Sequence, residues 1–230
     1  MRQAGHDIAD DLRRRILSLD LPPGSILSRA DLTARYEISS TPLRDALLGL
    51  RDEGLVQIMP QSRTMVTRID LHHARQIHVL RSAMEIEAAT RVASSARAEI
   101  AAELNALIQA QMDEAARGDM PAFSRLDLAF HAALFRAADL DAVHRVIRRE
   151  SIHIDRLRAL HLMQPEKVHQ ILDDHRRITS AIAAGDSDAA AGVMRLHLSQ
   201  SILLGARLTQ ERPDYFQPDE KGAAVLRKDR

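Results

Sequence analysis

The stretch "SSTPLRDALLGLRDEGLVQIMPQSRTMVTRI", residues 39 to 69, changes character halfway along. Its first half reads as a short helix: Ser39 or Ser40 can cap it, Pro42 is tolerated in the first turn, and Gly54 ends it. Its second half holds two β-branched runs, "LVQIM" and "TMVTRI", separated by "PQSR", which predicts a small hairpin. Upstream, "SRADLTARYEIS" reads as another short helix. Before it, Ile8, Leu12, Ile16, Leu17 and Leu19 repeat at helical spacing until "DLPPGS" stops the run with two prolines and a glycine. Three helices followed by a two-stranded wing make a winged helix-turn-helix, expected over residues 1–70.

From residue 71 the pattern is almost unbroken helix. Six helices are expected, at 71–94, 96–117, 120–139, 141–163, 166–184 and 186–211, with a loose tail over 212–230. Aromatic residues are 3% of the chain, so the core must be built from Leu, Ile, Val, Ala and Met, which suits an all-α bundle. The expected fold class is therefore mainly α, in two domains. The 32 basic and 32 acidic residues cancel, so any contact with nucleic acid must come from a local arrangement of charge. Only Lys167, Lys221 and Lys228 are lysines, and the arginine that replaces lysine elsewhere has a planar fork suited to phosphate, guanine and carboxylate. Without cysteine there is no disulfide and no thiolate metal site, which fits a soluble cytoplasmic protein, and any metal would need His and carboxylate ligands. No apolar run is long enough to span a bilayer, so no membrane partner is expected.

The order Pro23-Gly24, Leu32, "TPLRDAL", "GLV" and Pro60 resembles the N-terminal domain of the GntR family of bacterial transcription regulators. The resemblance implies a double-stranded DNA operator as partner, with Arg44 contacting base edges or phosphates and with Ser40 and Thr41 hydrogen-bonding phosphate. Physical chemistry agrees, because a helix N-terminus favours an anion and an arginine in the major groove can grip guanine bidentately. Two departures matter: the family usually has Arg where this chain has Ser40, and Gly at the wing tip where it has Arg63. A serine at position 40 cannot make the arginine's contact, and Arg63 could supply an equivalent one from the wing. Arg35, on the preceding helix, is a candidate backbone contact.

In "RLDLAFHAALF", residues 125 to 135, Asp127 and His131 stand one helical turn apart, so carboxylate and imidazole can converge on one point. His175 sits mid-helix after Leu172, and His197 lies between Leu196 and Leu198 on a third helix. Three helices of a bundle can aim such groups at an interior metal, though a buried histidine can also be a hydrogen-bonded core residue. The same residues resemble the metal-binding subset of the FCD-type ligand domain in the FadR branch of the family, and six helices resemble its VanR subgroup. The resemblance implies that Asp127, His131, His175 and His197 hold a divalent metal; zinc, nickel, manganese and iron all suit the ligand set.

Arg81, in "VLRSAMEIEAA", matches an arginine that commonly grips an acidic effector, with Glu85 one turn on; a plain Arg81–Glu85 helix pair is the simpler account. Arg148, Arg149, His153 and Arg156 could line the same cavity or coat the helix. His72, His73, His78, His144, His153, His161 and His169 match no motif position and are expected at the surface or the pocket rim. Relatives often carry Asn near Leu140. The expected protein is a homodimeric, ligand-responsive repressor released from DNA by a small organic acid, and not an enzyme. The alternatives are a metal-free ligand pocket and a metal-dependent hydrolase; against the latter, no H-E-x-x-H arrangement is present.

Overall fold

The computed structural model describes residues 2–59, 63–95 and 98–218. Pro60, which carries part of the family resemblance, lies outside the described residues. The chain forms two compact units. One takes Met1–Ala74 together with the chain from Gly205 onward, and the other takes Arg75–Leu204.

The first unit contains α1 (Arg2–Leu17), α2 (Arg29–Tyr36) and α3 (Ser40–Asp52), with strands β1 (Ile26–Leu27), β2 (Val56–Ile58) and β3 (Thr64–Val66). Leu43, Ala46, Leu47 and Leu50 repeat at helical spacing and bury one face of α3, in the same core as Leu12, Ile16 and Leu32. The opposite face of α3 is thereby left to solvent. Ser28 starts α2 by accepting a hydrogen bond from the Asp31 amide at 3.3 Å, and Glu37, at φ 51°, ends it in the left-handed region. Ser28→Ala should lower the stability of this unit by about 0.5–2 kcal/mol. Denaturant unfolding reads this directly, and an unchanged midpoint would mean that the cap contributes nothing.

The expected two-stranded wing has a third strand, in the order β1-β3-β2, all antiparallel, with Ile26 opposite Met65 and Val56 opposite Val66. Gly24, at φ +83°, makes the turn that brings β1 into place, and its amide donates to the Val66 carbonyl at 2.9 Å. Two residues of strand are too short to show a period in sequence.

The segment after Arg212, expected to be loose, is anchored as far as Gln217. Ile69 and Phe216 form a parallel bridge: the Ile69 amide donates to Tyr215 O at 2.8 Å, and the Gln217 amide donates to Ile69 O at 2.9 Å. Arg68 Nε donates to Asp214 O at 3.0 Å, and Phe216 is buried. Burial of one aromatic side chain with satisfied backbone outweighs the breaks at Pro213 and Pro218. The rest of the expected tail, 219–230, lies outside the described residues.

The second unit is built from α4 (Leu71–Ser94), α5 (Ala98–Arg117), α6 (Met120–Ala137), α7 (Asp141–Glu150), α8 (Ile152–Leu162), α9 (Pro165–Ala183) and α10 (Ser187–Glu211), of which the first turn of α4 and the end of α10 from Gly205 belong to the first unit. These are seven helices where six were expected, because the span 141–163 divides at Ser151. There the backbone leaves the helical basin at φ −87°, ψ 5°, and the Ser151 hydroxyl donates to the Ile147 carbonyl at 2.6 Å. The core joins Leu104, Phe123, Phe130, Phe135, Ile178 and Met194. Among the described residues, no helix is long and apolar enough to cross a membrane.

Candidate metal centre and nucleic-acid interface

Asp127 and His131 on α6, His175 on α9 and His197 on α10 present one ligand atom each, all within 4.8 Å of one another. Asp127, His131 and His175 are buried; the His197 side chain is nearly so. Each imidazole is held from behind. His175 Nδ1 lies 3.0 Å from Gln111 Oε1, His131 Nδ1 lies against the Glu85 carboxylate, and His197 Nδ1 lies 3.5 Å from Asp174 Oδ2. At His175 that hydrogen bond keeps the proton on Nδ1 and leaves the Nε2 lone pair free; at His131 and His197 a carboxylate stands on the same side of the ring. The three Nε2 atoms meet at the centre: those of His131 and His197 are 3.3 Å apart, and that of His175 is 3.5 Å from Asp127 Oδ1. Phe130 stacks on His175, with ring centroids 3.9 Å apart, and fixes its plane.

Burial pushes His131 down to about 4, His175 well below its ordinary value and His197 in the same direction. All three are therefore neutral near pH 7, the form a metal requires. His175 Nε2 is buried without a hydrogen bond and faces the Asp127 carboxylate, which has Arg158 against it, so an unsatisfied acceptor is left at the centre. Three imidazole nitrogens and a carboxylate fit zinc, nickel, manganese or iron.

A cavity opens beside this cluster, lined by Arg81, Asp127, Arg158, His161, His197 and Gln200, among others. Arg81 Nε donates to Glu85 Oε1 at 2.5 Å. Burial alone would raise the Glu85 carboxyl; Arg81, and after it His131, override that and hold it well below the carboxylate range. Arg81 and Glu85 are thus a buried pair that also lies against the His131 imidazole.

The other two expected effector contacts do not line this cavity. Arg148 is forked onto Asp155 at 2.9 and 2.6 Å, and buried His153 has Nδ1 2.9 Å from Arg156 Nη2. Conversely, His161, expected at the surface or rim, is buried and does line it. Arg158, which no sequence motif singles out, lies against the Asp127 carboxylate, and burial pushes it down to about 9. Its spacing of three from His161 is the one signal the sequence offers. Leu140 is half-buried and packs against the core.

In the first unit, Ser40, Thr41 and Arg44 are exposed along the first turns of α3, as are Arg35 on α2 and Arg63 at the wing. Arg63 also closes the hairpin, its carbonyl accepting from the Met59 amide at 2.8 Å. Among the described residues none of these three arginines has an ion pair, whereas Arg13, Arg14 and Arg51 are committed to Glu53, Asp11 and Asp52. Uncompensated surface cations are what a polyphosphate attracts. Ser40 and Arg44 share a groove with Arg29, Thr33 and Leu43.

A winged helix with such a surface, followed in the chain by a helical unit that holds a buried Asp/His cluster, points to a DNA-binding transcriptional regulator. The chain belongs to the GntR family of bacterial regulatory proteins, which matches residues 5–66, and carries an FCD domain over residues 76–200. It is 31% identical to an HTH-type transcriptional regulator in an unstable DNA locus of Streptomyces ambofaciens, over 96% of this chain and 93% of that one. It is 30% identical to the HTH-type transcriptional repressor RspR of Escherichia coli, over 90% and 91% of the two chains. The solved structure of E. coli McbR/YncC shares the fold, with a TM-score of 0.73 at 18% identity, covering 90% of this chain and 99% of that one. These relatives are transcriptional regulators, and so is this chain; the hydrolase alternative falls with that assignment.

Proposed function

We propose that the protein is a homodimeric repressor of the FadR branch that binds a roughly palindromic operator in the cytoplasm and is released by a small organic acid bound beside a divalent metal. Six helices would favour the VanR-like subgroup, and the division at Ser151 removes that support. Asp127, His131, His175 and His197 would hold the metal, with zinc favoured over nickel, manganese or iron. The observation that carries this reading is the second layer: Glu85, Gln111 and Asp174 each occupy the Nδ1 side of one imidazole, so three Nε2 lone pairs face one carboxylate.

When bound, the metal supplies a Lewis-acidic position for a carboxylate oxygen. Arg81 orients that carboxylate with the N–H groups it does not give to Glu85. Arg44, Arg35 and Arg63, with Ser40 and Thr41, engage the operator, and two-fold symmetry places two such surfaces on two half-sites. To change occupancy, the acid must bind the released state better than the DNA-bound one.

The test is the metal content of full-length protein purified without an affinity tag or added metal, beside His131→Ala and His197→Ala. About one metal per chain in the wild type and none in the variants is expected, since each variant lacks one direct ligand. Wild-type protein that comes out empty and takes up no added zinc would leave the metal-free pocket as the answer. That second reading has its own support, since Arg158 already gives Asp127 a cationic partner.

A further inference from the structure

The groove between α2 and α3 contains an arginine that the fold does not use. Arg29, the first residue of α2, lines it together with Ala30, Thr33, Ser40, Leu43 and Arg44. Its Nε is shut away from water with no hydrogen-bond acceptor, and among the described residues no other arginine nitrogen is buried in that state. We propose that Arg29 is a DNA contact in its own right: on binding, it turns its guanidinium into this groove and holds a backbone phosphate of the duplex beside Arg44.

Arg29 stands where it costs the free protein stability. The N-terminal end of a helix carries a partial positive charge, so a carboxylate in the first turn is favoured and a cation there is disfavoured. Asp31 follows that preference and Arg29 breaks it, in the same turn. Two positions apart on a helix, the two side chains do not face each other, and among the described residues no carboxylate pairs with Arg29. The buried Nε–H adds a second cost, because a donor hidden from water and left unmet is destabilising. A residue that breaks a local rule without a compensating contact in the fold points to a binding role.

The lining sets the charge of what is bound. It holds two arginines and no carboxylate. The Thr33 hydroxyl is committed to its own helix, donating to the Ala30 carbonyl at 2.9 Å, so the two guanidinium groups and the Ser40 hydroxyl are the side-chain donors left for a ligand. Such a set suits an anion, and next to the exposed face of the DNA-reading helix that anion is a phosphate of the duplex. A phosphate oxygen also gives the Arg29 guanidinium the acceptor it lacks, so binding relieves a cost of the free state. Because α2 carries it, Arg29 reaches the backbone rather than a base, as the first helix of such a pair crosses the phosphates while the second enters the major groove.

The experiment measures binding of the full-length protein to a labelled duplex of mixed sequence across a salt series, beside denaturant unfolding of the same samples. Arg29→Ala should weaken binding about 10-fold at the lowest salt, the value of one charge-assisted contact, and should lower the slope of log affinity against log salt by about 0.9. Its unfolding midpoint should equal or exceed that of the wild type, since the substitution removes both costs named above. Arg29→Lys keeps the charge without the fork and should restore the slope but only part of the affinity. Arg51→Ala, which removes an arginine already paired with Asp52, should leave the slope unchanged. An Arg29→Ala protein with wild-type affinity and slope overturns the proposal. So does one whose weaker binding comes with a lower unfolding midpoint, because Arg29 would then act by holding α2 in place.

Discussion

Arg44→Ala is expected to weaken operator binding by about 1–3 kcal/mol, which is roughly 10- to 100-fold. Arg44 stands exposed on the face of α3 opposite the buried Leu43, Leu47 and Leu50, and among the described residues no carboxylate pairs with it. If it grips a base, affinity for the operator falls while affinity for unrelated DNA holds, so discrimination relaxes. Arg35→Ala and Arg63→Ala should behave differently: as phosphate contacts they weaken both kinds of DNA alike, and each lowers the slope of log affinity against log salt by about 0.9. Arg51→Ala is the control, because Arg51 is already paired with Asp52 on the same helix. Binding assays over a salt series read all four. An Arg44 variant that binds operator and unrelated DNA as wild type does would remove α3 from the reading surface.

Glu85→Ala should destabilise the second unit by about 3–5 kcal/mol, because it leaves the Arg81 guanidinium buried without its partner. Glu85 is 3% exposed and lies between Arg81 and His131, so it serves two groups at once. The same change should lower zinc affinity by about 10- to 100-fold, since the His131 ring loses the acceptor that fixes its proton at Nδ1. Glu85→Gln keeps the volume and one acceptor oxygen and should fall between the two. Denaturant unfolding measures the first effect and competition with a zinc chelator the second. A Glu85→Ala protein of wild-type stability would mean that water reaches Arg81.

The parts legible in sequence are those governed by local chemistry. Pro22, Pro23, Gly24 and Gly54 mark the ends of elements wherever they fall, so the helix-turn-helix can be read directly. Asp127 and His131 can be paired because a helix fixes the distance between positions four apart. What escapes depends on which helix faces which. Gln111 and Asp174 look like surface residues until their helices are packed behind His175 and His197. Arg158 cannot be told from Arg148, Arg149 and Arg156, because its role follows from the face that α8 turns inward. The division at Ser151 is invisible for another reason: no glycine or proline marks it, and the hydrophobic pattern runs on through it.

The bridge between Ile69 and Phe216 also bears on how the molecule is made. The DNA-binding unit draws on residues before Arg75 and again on residues from Gly205, while the helical unit is one uninterrupted block between them. Ribosomes deliver residues in order, at about 5–20 per second. The helical unit is thus fully translated before the DNA-binding unit receives the segment that anchors to Ile69. Of the two units, the DNA-binding one is therefore the later to receive all the residues that it packs together.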